Sequence, residues 1–263
     1  MGILNVTPDS FWVPSRAEDV PAIRKRVKEM IDGGADMIDI GAVSTRPGAA
    51  EVPMEEEWAR LEKALSALDG SVPGVRLSID TTRSEIVGRA FSLVAGRAGE
   101  AAARTVIVND ISAGESDPYM LPAVAELGLT YVAMHKRGTP QTMDSLTDYP
   151  EGVVEAVMQY FREFSCWAEE VGVKDWILDP GFGFAKTDEQ NLALLENLDA
   201  FKVFGRPVLV GIADKRFTGG RAGELHRLAV RKGADILRVH DVAAAVGLRN
   251  DKPAGACLQD IGR

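Results

Sequence analysis

The residues with the most chemistry in this chain stand at the ends of short apolar runs. ILNV (3–6) contains Asn5, MIDIG (37–41) carries Asp39, RLSID (76–80) ends on Asp80, and TVIVND (105–110) ends on Asn109-Asp110. TYVAMH (130–135) ends on Met134-His135, and WILDPG (176–181) contains Asp179. PVLVGI (207–212) runs out to Lys215, and DILRVH (235–240) holds Arg238 and His240. One polar residue at a strand end is expected wherever a strand meets water. Seven of eight runs ending in Asn, Asp, Lys, Arg or His form another pattern, because solvated ends more often use Ser, Gly, Thr or Glu.

The residue types suggest a ligand. Asp80, Asn109 and Asp179 offer carboxylate and amide acceptors, and Asn109 adds a donor. Such a set recognises the N–C–N edge of an amino-heterocycle. Lys215 can bond a ring carbonyl or nitrogen. Arg238 and His240, two apart on one strand, face the same side. Arginine suits bidentate phosphate recognition or stacking on a flat ring. Asn5 has a side-chain oxygen for a hard cation such as Mg²⁺. Three loops add to this set. In VSTRPG (43–48), Thr45 and Arg46 suit an anion. In DPGFGFAKT (179–187), Phe182 and Phe184 between glycines either wall a flat substrate or pack into the core. In NVTPDSF (5–11), Asp9 either caps a helix or touches substrate. Asp39 reads as structural, His135 as core or support for the site, and His226 as a packing or surface residue on a helical stretch.

These residues need a scaffold that brings strand ends together. The apolar runs are nearly continuous in Val, Ile and Leu, as strands buried on both faces of a parallel sheet are. Between them lie helical stretches: Asp19–Ile31 stopped by Gly33-Gly34, and Pro53–Leu68 opening on three glutamates. Asp117–Leu127, Pro150–Val171, Asp188–Phe201 and Ala222–Lys232 follow. Gly-Ala-Asp recurs at 34–36 and 233–235 just before a strand, as a repeated helix-to-strand turn. Eight strand–helix units in 263 residues predict an α/β fold of the (β/α)₈ TIM-barrel type, one domain over 1–263. No G-x-G-x-x-G follows the first strand, which argues against a dinucleotide fold. The turn-rich tail after Val246 predicts a short eighth helix. In a barrel of this class the polar strand ends converge on one mouth.

Composition narrows the class of function. The formal charge of −9 argues against non-specific nucleic-acid binding, which needs a basic face, while a pocket can still be locally positive. The two cysteines, Cys166 and Cys257, lack metal-ligand spacing and read as thiols in a reducing compartment. No run reaches membrane-spanning length and no leader pattern opens the chain, so the expected setting is cytoplasmic.

At MGILNVTPDSF, DIGAVSTRPG, SIDT, VNDISAG, AMHKRGTP, LDPGFGFAKT and LRVHDV, in this order, the sequence resembles the dihydropteroate synthases of folate biosynthesis, the sulfonamide targets. The resemblance implies a transferase joining 4-aminobenzoate to 6-hydroxymethyl-7,8-dihydropterin diphosphate, giving 7,8-dihydropteroate and diphosphate. It implies pterin contacts at Asp80, Asn109, Asp179 and Lys215, with Met134 also among the substrate-binding residues. Arg238 would stack on the pterin and help hold diphosphate. Asn5 and His240 lie at the diphosphate and Mg²⁺ end, with Asn5 the metal residue. Thr45 and Arg46 lie on a substrate loop, and Phe184 walls the aminobenzoate. The implied catalytic set is Asp80, Asp179, Lys215 and Arg238. Small-molecule substrates and a homodimer paired through the later helices complete the picture.

The chain departs from the family around the second substrate. The usual Gly-x-Ser-Arg-Lys-Ser reads GIADKR (211–216), a glutamate is Val43, and the first loop reads WVPSR. Arg216 stands where a serine contacts the aminobenzoate carboxylate, so it either binds that carboxylate or fills the pocket. The chain is also shorter than the family norm over Gly219–Leu225, which predicts a truncated seventh helix, and longer between Arg89 and Thr105. The alternatives are a pterin-binding homologue with an altered acceptor or no catalysis, and a pterin-dependent methyltransferase working with a cobalamin partner.

Overall fold

The computed structural model describes residues 1–7, 19–44, 51–139, 141–213 and 215–251. Strands β1 (Gly2–Asn5), β2 (Met37–Gly41), β3 (Arg76–Asp80), β4 (Ile107–Asp110), β5 (Thr130–Met134) and β6 (Trp176–Asp179) form one parallel sheet in chain order. Strands β7 (Leu209–Val210) and β8 (Ile236–Leu237) pair in parallel with each other. Parallel bridges join the two sheets at both margins, Leu178 to Val208 and Gly2 to Val239. The Ile3 N–H donates to the Val239 carbonyl and the Val239 N–H to the Met1 carbonyl, both at 3.0 Å, which closes the ring. The expected eight-stranded barrel is present, with β7 and β8 shorter than the apolar runs that contain them.

The helices follow the expected alternation. Helix α1 (Val20–Asp32) starts at Asp19, whose carboxylate accepts from the Ala22 N–H, and buries Ile23, Val27 and Met30. Helix α2 (Met54–Ala67) has Glu55, Glu56 and Glu57 in its first turn, where the helix dipole favours them. Helix α3 (Ser84–Ala98), with the short α4 (Glu100–Ala103), fills the one interval where sequence analysis names no helix. It buries Ile86, Val87, Ala90 and Val94, a helical face that the surrounding Ala and Gly residues obscure. Helix α5 (Met120–Leu127) begins later than expected, because Asp117 instead accepts from the Ser84 and Tyr119 N–H groups.

Helix α6 spans Val153–Val171. Helix α7 (Asp188–Glu196) opens on a capping box of Thr187 and Gln190. It then tightens to a 3₁₀ segment, Leu198–Phe204, that seats Leu198 and Phe201 in the core. Helix α8 (Ala222–Arg231) has ten residues, and α9 (Val242–Val246) is the short final helix. Gly34 and Gly233, the glycines of the repeated tripeptide, both have positive φ, of 88° and 100°.

Strand alternation separates two cores. Ile38, Ile40, Leu77, Ile79, Val108, Tyr131, Ala133, Leu178, Val208 and Val210 belong to the main cluster between barrel and helices. Met1, Met37, Ile107, Val132, Ile177, Leu209 and Ile236 form a second buried cluster, the layer inside the barrel. Two residues further along their strands, on the same inward side, stand Asp39, Asn109, Asp179 and Arg238. The barrel interior thus changes from an apolar plug to a polar floor in one step.

Candidate functional site

The polar floor opens into a cavity of about 390 Å³ at the carboxyl ends of the strands, within the size range of small-molecule sites. Asn5, Asp80, Asn109, Met134, Asp179, Phe184, Lys215, Arg238 and His240 all line it. Strand register aligns four of these elements. Asn5 pairs with Gly41, Gly41 with Asp80, and Asp80 with Asn109, a continuous row across β1 to β4. Met134 pairs with Asp179 across β5 and β6. A side chain at Gly41 would come within 3.3 Å of the Asp80 Oδ2 and 3.7 Å of the Asn5 Oδ1, so glycine there lets both groups turn into the mouth.

Arg238 joins the floor into one network. Its Nε donates to the Asp39 Oδ2 at 2.7 Å and its Nη2 to the Asp80 Oδ2 at 2.9 Å. Asp39, fully buried, also accepts from the Ser78 hydroxyl at 2.5 Å and the Asn109 Nδ2 at 3.1 Å. Asp39 therefore supports the site without lining it, as its sequence position suggested. Burial opposes the charge on Arg238, but Asp39 and Asp80 outweigh it and hold the guanidinium protonated. Burial and the Asp39 carboxylate push the Asp80 acid up from its ordinary value, against the pull of Arg238. Burial likewise raises Asp179 to about 6, opposed by the Gly181 N–H, Arg238, Lys215 and Lys186. The Lys215 ammonium sits 4.4 Å from the centre of the Phe184 ring, a cation–π contact across the pocket wall.

The comparisons with known proteins agree with this geometry. Residues 1–240 match the family described as pterin binding enzyme. A dihydropteroate synthase of Synechocystis sp. is 40% identical over 259 residues, covering 93% of this chain and 85% of that protein. The chain belongs to the dihydropteroate synthase family. The solved Yersinia pestis dihydropteroate synthase, in a sulfonamide drug complex, has a TM-score of 0.85 at 32% identity, covering 94% of this chain and 90% of that one. The Xanthomonas albilineans dihydropteroate synthase with 4-aminobenzoic acid has a TM-score of 0.80 at 36% identity, over 94% of this chain and 89% of that one.

Several residues of this dihydropteroate synthase fold line the mouth without having been singled out from the sequence: Ile111, Met143, Asp144, Lys186, Asp188 and Asn191. Lys186 lies inside the DPGFGFAKT motif, so the signal was present. What the one-dimensional reading lacked was that the loop folds back over it. His135 is buried and faces Lys186 through its Nδ1 at 2.9 Å, behind the pocket wall. His226 is buried on α8, as a packing residue. Phe182 lines the mouth and stacks on Phe217, with ring centroids 6.2 Å apart.

The altered strand-7 segment is resolved in one respect. Arg216 does not fill the pocket: its side chain is 87% exposed at the rim, 3.9 Å from the Asp188 carboxylate. Val43 lines the mouth. Asp9, Thr45, Arg46, Asp214 and Cys257 lie outside the described residues. Among the described residues no helix is long and apolar enough to cross a membrane, and Cys166 is an exposed free thiol.

Proposed function

We propose that this chain acts as a dihydropteroate synthase in folate biosynthesis, joining 6-hydroxymethyl-7,8-dihydropterin diphosphate to 4-aminobenzoate with release of diphosphate. The observation that carries the reading is the polar floor of Asp80, Asn109, Asp179 and Arg238 set directly on an apolar plug, inside a barrel of this family. Asp179, Asn109 and Asp80 present acceptors and one amide donor to the amino-pyrimidine edge of the pterin. Lys215 bonds the ring from the β7 side, with Met134 against it.

The electron pair of the methylene C–O bond leaves with diphosphate. The Asp80 and Asp179 carboxylates stabilise the pterin cation that remains. Arg238 and His240 bind the departing anion. The aniline nitrogen, stacked against the Phe184 wall, forms the C–N bond with its lone pair and sheds one proton to solvent. Arg216 at the rim is placed to meet the carboxylate of 4-aminobenzoate. No nucleophilic side chain is required.

Mg²⁺ belongs to the same proposal. No cluster of three His, Cys, Asp or Glu residues that could hold a metal is present among the described residues. Asn5, near Asp80, supplies one neutral oxygen at the mouth. Such a donor set fits a cation that arrives with the diphosphate and keeps most of its ligands from phosphate and water. When bound, the ion would neutralise leaving-group charge. We assign a homodimer through the later helices and a cytoplasmic setting on the same footing; sedimentation velocity tests the first.

The deciding experiment measures diphosphate release from the pterin substrate with and without 4-aminobenzoate. Release that requires 4-aminobenzoate is expected. Pterin binding without release, or release indifferent to 4-aminobenzoate, would overturn the synthase reading.

A further inference from the structure

The loop between β6 and α7 has an improbable shape. Gly181, Gly183 and Ala185 all have positive φ, of 72°, 75° and 50°, and the alanine gains nothing locally from that conformation. Gly181 lies so close to β5 that an added Cβ would sit 1.8 Å from the His135 carbonyl oxygen. A chain folded this way needs external ties.

Lys186 supplies the central one. Its ammonium, buried in the pocket wall, donates to the carbonyls of Gly181 and Phe184 at 2.9 Å each and meets the His135 Nδ1 at 2.9 Å. Three N–H groups thus have three acceptors, which is how a buried ammonium without a directly bonded carboxylate is tolerated. Burial lowers the Lys186 pKa to about 7, against the pull of Asp179, and with the amine protonated the contact uses the Nδ1 lone pair of a neutral His135. Burial and the Lys186 charge both lower the His135 pKa, in agreement. Asn191 and Tyr149 finish the frame. The Asn191 Oδ1 accepts from the Gly183 N–H at 2.8 Å, and the Tyr149 hydroxyl donates to the Ala185 carbonyl at 3.0 Å. At one end of the loop Asp179 accepts from the Gly181 N–H at 2.8 Å, and within it Phe184 faces Lys215.

We propose that Lys186 is a positioning residue that holds the 181–185 loop in the one shape that presents Phe184 to the acceptor half of the pocket. The proposal rests on the synthase reading for its kinetic consequence and on geometry alone for its structural one. Of the pterin contacts only Asp179, fixed on β6, adjoins the loop, whereas Asp80, Asn109, Lys215 and Arg238 come from other strands, so loss of the tie strikes the acceptor first.

The test is Lys186→Met, which keeps a chain of similar length without the ammonium. The expected result is at least a tenfold rise in KM for 4-aminobenzoate, with the dissociation constant for the pterin substrate changed less than about threefold. Amide hydrogen exchange in the 181–185 peptide should accelerate at least tenfold. A folded variant with unchanged KM and unchanged exchange would overturn the proposal. So would a parallel loss of both substrates, which would mean a general collapse of the pocket. If Lys186→Met does not fold, Tyr149→Phe removes another tie of the same loop and must give the same split; its absence overturns the proposal. If the parent releases no diphosphate, the synthase reading falls, and hydrogen exchange alone decides for or against the loop tie.

Discussion

At Asp179 burial and function conflict. A pterin cation is stabilised by an ionised carboxylate, yet burial raises this acid from 3.8 to about 6. As pH falls through about 6 in the free enzyme the Asp179 carboxylate is neutralised, and Asp80, whose acid is also raised, loses charge on the same limb, so kcat/KM for the pterin substrate should fall as pH drops to 6 and below. The stability effect has the opposite sense. Between pH 3.8 and about 6 the folded protein keeps a proton that the unfolded chain has lost, so stability declines as pH rises through that window and stays reduced above it. Asp179→Asn should therefore stabilise the fold at pH 7 by ~1–3 kcal/mol while abolishing product formation. Urea unfolding at pH 7 and pH 4 checks this, because the gain should vanish at the lower pH. An equal gain at both would show that the buried charge is not its source. The sequence shows that Asp179 is polar and ends a strand. It does not show the burial that sets its acidity, because the covering groups come from other strands.

The β6–α7 loop illustrates what one element demands of its residues. Gly181 combines a φ of 72° with a close approach to the His135 carbonyl. Gly181→Ala should cost roughly 3 kcal/mol or more, through strain and a forced separation of β5 from β6. A denaturant midpoint close to that of the parent would contradict this packing. Elements such as β2, α1 and α2 are legible in the sequence because their apolar pattern and end signals are local. Helix α3 is not, because alanine and glycine give little contrast between its buried and exposed faces. Asn109 and Asp110 show the same limit in a strand. Adjacent in sequence, they face opposite ways: Asn109 lines the mouth, whereas Asp110 accepts from the Tyr131 and Ser112 hydroxyls at 2.7 Å each. The polar strand-end signal was right for one and structural for the other.

At the scale of the barrel, the apolar inner layer must fill the ring beneath the polar floor. Ile177 lies in that layer, two residues before Asp179 on the same side. Ile177→Ala should cost about 2–5 kcal/mol, because a closed barrel cannot collapse far onto the cavity. Thermal or urea unfolding measures it, and a cost below that range would mean the layer is loosely packed. Closure itself follows from eight alternating units, each strand continuous enough in Val, Ile and Leu to be buried on both faces. By itself, then, the sequence determined the eight-unit barrel, the family resemblance and the set of polar residues at its mouth, because these depend on pattern and residue type along the chain. The tertiary structure decided how that set is divided and tied together. Asp39 lies buried in the floor and holds Arg238, Arg216 stands exposed at the pocket rim, and Lys186 is folded into the wall. Those outcomes depend on which groups meet across strands far apart in the chain, where burial and hydrogen-bond partners, rather than residue type, set what each charge can do.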